Sequence, residues 1–206
     1  GSEQTMFGYT FDYGDLLQNF NDGAYHNLCA EDVASIAFAT QNLSHFLGNT
    51  TKSWLKADSD SLSNLLKKMN QFASQVMTII PKKDWNKIVM AKEQSEVYEN
   101  RWNVKFNDSF TLTQVDLYQF MEEVSEEFKD IDAIRNICNE IKDILTKNGG
   151  IIHDFSKVPL LTSKLHGISV YMPTIGTFYE SFYPKSLLQE EWGKFVKSLH
   201  DYTAVR

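Results

Sequence analysis

The sequence predicts an α+β fold, predominantly helical with a few strands. Three observations carry this. Prolines and glycines are scarce, 4 and 10 in 206 residues, and a turn-rich β fold uses more of both. Long stretches repeat apolar residues at spacings of three, four and seven, the signature of helices with one buried face. Near the C-terminal end a short stretch, Ile168-Ser169-Val170-Tyr171-Met172-Pro173, alternates side chains with the period of a strand.

The composition sets bounds on what the chain does. With 42% hydrophobic and 23% charged residues, it can bury enough surface to offset chain ordering, which excludes global disorder. Aromatics at 13% imply a large core. A net charge of −7 repels phosphate backbones and makes nucleic acid a poor partner. No apolar run approaches the roughly 18 residues of a membrane span. Gly1-Ser2-Glu3-Gln4 is polar and acidic, unlike a leader peptide. Two cysteines, Cys29 and Cys138, cannot make a disulfide framework.

Taken in order, residues 2–9 suggest a short strand and turn, and residues 12–17 a short helix that ends by Asn21-Asp22-Gly23. Val33, Ile36, Ala37, Thr40, Leu43 and Leu47 share a helical face that Gly48 stops. Asp58-Ser59-Asp60-Ser61 starts the next helix by capping. Its stripe is Leu62, Leu65, Leu66, Met69, Phe72, Ala73, Val76 and Ile79, and Pro81 ends it. Residues 84–94 read as a further helix and residues 99–110 as a polar-aromatic connection. Thr111-Leu112-Thr113 leads into a helix with Leu117, Phe120, Met121, Val124 and Phe128. Ile131, Ile134, Ile137, Cys138, Ile141 and Leu145 form another stripe, halted by Asn148-Gly149-Gly150. Strands are expected at Ile151-Ile152 and over 167–173, with a loop over 156–165 between them. In the second strand Ile168 and Val170 are expected to face the core, with Ser169 and Tyr171 on the other side. A closing helix carries Leu187, Leu188, Trp192, Phe195, Val196 and Leu199.

Candidate chemistry is sparse. A thiol near a helix start has its thiolate favoured, and His26 stands three residues before Cys29, but nothing in the spacing fixes the pair. A structural Cys29 is the favoured reading. Cys138 falls on an apolar stripe and reads as a buried, inert thiol. His26, His45, His153, His166 and His200 lack the spacing of a helical zinc site. Asp58-Ser59-Asp60 opens like a calcium loop but lacks the glycine at the sixth position and the glutamate at the twelfth. Glu122-Glu123 and Glu126-Glu127 read as a solvated face. No metal or cofactor is expected.

Five segments, in order, resemble the C-terminal part of clostripain-like cysteine peptidases. Gly1-Ser2-Glu3-Gln4-Thr5 with Gly8-Tyr9-Thr10-Phe11-Asp12-Tyr13 is similar to the family's Ser-Glu-Glu-Thr stretch and Gly-x-Gly-Trp-Asp-Tyr turn. Thr10 and Phe11 depart from that pattern. Asn27-Leu28-Cys29-Ala30-Glu31-Asp32-Val33 resembles a Thr-Leu-Ser-Ala-x-Asp-Leu helix start, with Cys29 in a capping serine's place. Gln114-Val115-Asp116-Leu117-Tyr118-Gln119-Phe120 resembles a Val-Asp-Leu-Tyr-x-Phe helix. His166-Gly167-Ile168-Ser169-Val170-Tyr171-Met172-Pro173 is close to a Gly-Leu-Ser-Ile-Tyr-Phe-Pro strand. Trp192-Gly193-Lys194-Phe195-Val196 resembles a closing Trp-x-x-Phe-Leu helix.

The resemblance implies a bacterial, secreted or periplasmic endopeptidase with a caspase-like α/β/α core and a helical extension. Residues 1–25 would be the C-terminal edge of that core, and residues 26–206 a helical C-terminal domain with a strand near 167–173. The family's Cys–His dyad would precede this chain, so no catalytic residue is expected within it. The upstream catalytic part would be its partner, and a peptide or protein its substrate. Ser2, Glu3 and Thr5 would flank the substrate cleft, where a strand edge can pair with an extended peptide. Met6-Phe7-Gly8-Tyr9-Thr10 carries no acid, which argues against a basic P1 preference. The alternatives are a non-catalytic helical interaction module and a relative without the dyad. Residues 1–13 are further expected to present an unpaired sheet edge when the chain is alone.

Overall fold

A computed structural model describes residues 51–55, 59–97, 114–146, 150–157, 165–173 and 189–204. The expectations for residues 1–25, for the helix carrying Val33 to Leu47, and for residues 99–110 lie outside them. The described part is predominantly helical, with two small antiparallel sheets.

Strand β1, Thr51–Leu55, comes first. Helix α1 runs Ser59–Ile79, and its start at Ser59 fits the expected capping segment. Its buried face is narrower than the sequence stripe: Leu65, Met69, Phe72, Ala73 and Val76 are buried, but Leu62 and Ile79 are exposed. Ile80 takes the inward place beyond the helix, its amide still donating to the Val76 carbonyl at 3.0 Å. Pro81 then stops the helix, because a residue before proline is driven out of the α region. A 3-10 turn at Lys82–Asp84 leads into α2, Trp85–Gln94. The Trp85 indole N–H donates to the Ile80 carbonyl at 3.3 Å, and Lys82 Nζ lies 3.0 Å from its ring centroid. Ser95 closes α2, with both its amide and its hydroxyl donating to the Ala91 carbonyl.

Strand β2 is Gln114–Asp116, and α3 is Leu117–Glu127. The segment read whole as helical by resemblance is therefore split, with its first three residues extended. Helix α4, Asp132–Thr146, buries Ile134, Ile137, Cys138, Ile141 and Leu145, as its periodicity predicts. Arg135 fastens its first turn, donating to the Lys129 carbonyl and to Asp132 Oδ1.

Strand β3, Ile152–Lys157, follows and pairs antiparallel with β1, Thr51 opposite Lys157 and Leu55 opposite Ile152. The expected loop over 156–165 thus begins too early, since Ser156 and Lys157 belong to the ladder. A three-residue strand β4, Ser169–Tyr171, pairs antiparallel with β2. Its burial departs from the expected alternation. Tyr171 and Met172 are buried, while Ile168, Ser169 and Val170 are half-buried. Ile168 and Val170 pack against the core while only partly covered, and Tyr171 belongs to it. A strand with apolar cover on both faces does not sort its residues into inside and outside.

Helix α5, Glu191–Ala204, buries Trp192, Phe195, Val196 and Leu199, as expected; Leu187 and Leu188 lie outside the described residues. Its start is tied to α1 by Asn70. Asn70 Oδ1 accepts from the Trp192 amide and Nδ2 donates to Glu190, both at 2.9 Å. Helix α1 packs on α4 and α5, while α3 packs on α2 and α4. Phe72 stands at the meeting point, its ring centroid 5.7 Å from Phe195, 6.2 Å from Phe120 and 6.3 Å from Trp192. The edge-on contacts to Phe120 and Phe195 suit the ring quadrupoles.

Candidate functional site

The most concentrated polar chemistry among the described residues is at the junction of β2 and α3. Asp116 ends the strand and caps the helix, with φ −63° and ψ 119°. Asp116 with Gln119 three residues on is the spacing of a capping box. The carboxylate does its half of that work, as Oδ1 accepts from the Gln119 amide at 2.9 Å. The glutamine turns elsewhere. Its Oε1 accepts from the Glu96 amide at 2.7 Å, while the Asp116 amide donates to the Glu96 carbonyl at 2.9 Å. Both backbone groups of Glu96 are thereby held, and Val97 bridges to Val115 beside them.

The second carboxylate oxygen reaches across the fold. Asp116 Oδ2 accepts from the His166 amide at 2.7 Å. His166 Nδ1 lies 3.3 Å from Asp116 Oδ1, close enough for an ion-pair contact but without hydrogen-bond alignment. The next residue, Gly167, has φ 109°, a conformation that a Cβ would oppose. That turn lets the Ile168 carbonyl accept from the Leu117 amide at 3.0 Å before β4 begins. Asp116 thus satisfies orphan donors at a helix start and at the entry to β4. It is fully buried. A buried carboxylate is tolerable there because amide donors and the positive end of α3 replace water.

Around this carboxylate the His166 ring stacks on Tyr118, centroids 4.0 Å apart and planes at 27°. Burial, and after it the negative charges of Glu122, Asp143 and Asp116, push the Tyr118 phenol up from its ordinary value. Lys142 Nζ stands 5.8 Å from the same ring. The Ser169 hydroxyl donates to Gln114 Oε1 at 3.2 Å across the β2–β4 pair.

Chemically, this arrangement positions backbone. It contains an imidazole beside a buried carboxylate, but no thiol. Cys138 sits on α4, buried, and burial pushes its thiol up to about 12, against a smaller opposing effect of Lys142. A thiol held neutral is neither nucleophile nor metal ligand. Among the described residues no group of three or more His, Cys, Asp or Glu could hold a metal ion.

Ser2, Glu3, Thr5, His26, Cys29 and His45 lie outside the described residues. His200 lies on α5, largely buried, its Nδ1 3.5 Å from Asp201 Oδ1. No described helix is long and apolar enough to cross a membrane. The Asp116–His166 contact is what the sequence reading missed. The Asp-x-x-Gln spacing could have flagged Asp116 as a cap, but no local signal joins residues fifty positions apart. No family model, curated protein or solved structure matches the chain.

Proposed function

We propose that the chain is the C-terminal portion of a clostripain-like cysteine endopeptidase. In this reading it completes the fold and flanks the substrate cleft, while a Cys–His dyad upstream cleaves the peptide bond. The caspase-like core belongs to the same proposal, as does a secreted or periplasmic location. One observation supports it most. Two of the five segments with likeness to the family, 114–120 and the most specific one, 166–173, are joined residue to residue. Gln114 faces Tyr171, Val115 faces Val170, Asp116 faces Ser169, and Asp116 holds the His166 amide. Likeness in two distant segments carries more weight when the segments form one structural unit.

The upstream thiolate would attack the substrate carbonyl after histidine takes or shares its proton. The contribution of this chain would be packing and strand-edge recognition, with Ser2, Glu3 and Thr5 beside the cleft. The experiment compares the chain alone with the longest encoded protein that includes it, on peptide and ester substrates. Hydrolysis is expected only from the longer protein, and Cys138→Ser leaves it intact. Hydrolysis by the chain alone that Cys29→Ser abolishes would overturn the reading and make Cys29 the nucleophile. An encoded sequence with no upstream Asp-x-Cys would point instead to the non-catalytic interaction module.

A further inference from the structure

We draw no further inference here: the strongest candidate, the side-chain cluster of Asp116, Tyr118 and His166 at the junction of β2 and α3, belongs to the site already described, and no second feature among the described residues shows what ligand it would take.

Discussion

Asp116 concentrates more structural work than any charged residue around it. Its carboxylate accepts from two amides, one at the start of its own helix and one fifty residues away. Asp116→Ala removes the cap and strands one buried and one part-buried donor, which should cost about 2–4 kcal/mol from cap loss and unmet hydrogen bonds together. Asp116→Asn keeps one oxygen acceptor and should cost roughly half as much, since it loses the charge assistance. Urea melts of the two variants check this. An Asp116→Ala midpoint equal to that of the unaltered chain would show that water replaces the carboxylate without penalty.

Cys138 lies on the buried face of α4. Its thiol is pushed up to about 12 by burial, so the native protein should resist thiol reagents at pH 8. It should react only at the rate of unfolding or local opening. The measurement is best made in a Cys29→Ser background, so that a single thiol reports. The sign of the pH linkage follows from the same shift. The native state keeps its proton above about 9, where the unfolded thiol gives its proton up. This group therefore lowers stability as pH rises from about 9 to about 12, and makes no difference below that window. Prompt labelling of the folded protein would place the thiol at the surface.

At the scale of elements, β4 is decided by its neighbours more than by its own pattern. Alternation in 168–173 predicts Ile168, Val170 and Met172 inside and Tyr171 outside. The structure buries Met172 fully and Tyr171 nearly so, and leaves Val170 half-covered. Met172→Asp should accordingly cost several kcal/mol, because it places a carboxylate where no water reaches. Val170→Asp should cost clearly less, because its carboxylate can turn toward solvent. Thermal melts of the two variants side by side give the order, and equal losses would show that both positions are sealed. The long helices behave differently. In α4 the buried set of Ile134, Ile137, Cys138, Ile141 and Leu145 is the predicted stripe without Ile131, which precedes the helix and is half-buried. Fifteen residues repeat the pattern over four turns, so one neighbour cannot displace it.

For the molecule as a whole, Phe72 tests whether the helices form one core. Its ring touches aromatic residues of both α3 and α5 and sits at zero exposure. Phe72→Ala should cost about 3–5 kcal/mol, the lost transfer energy plus the cavity left behind. Amide exchange should then accelerate in α1, α3 and α5 together. Acceleration confined to α1 would mean that the helices hold separately. The paired segments 114–120 and 166–173 also lie within this one core, since Val115, Phe120 and Tyr171 belong to it.

The sequence by itself determined α1, α2, α4 and the body of α5. Their periodicities and the Pro81 stop are local, set by residues within a turn or two of one another. Only the tertiary structure decided the sheets. No sequence signal announced β1, whose ladder joins Thr51 to Lys157. β2 was hidden in the approach to a helix, because three residues are too few to show a period. Tertiary structure also exposed Leu62 and Ile79 at the margins of a stripe that looked continuous, and brought His166 onto Asp116 and Tyr118. Helix hydrogen bonds close within four residues, so their rules are written in neighbouring letters. Strand pairs and side-chain clamps close between residues from fifty to more than a hundred positions apart, and the partner's identity is absent from either segment alone.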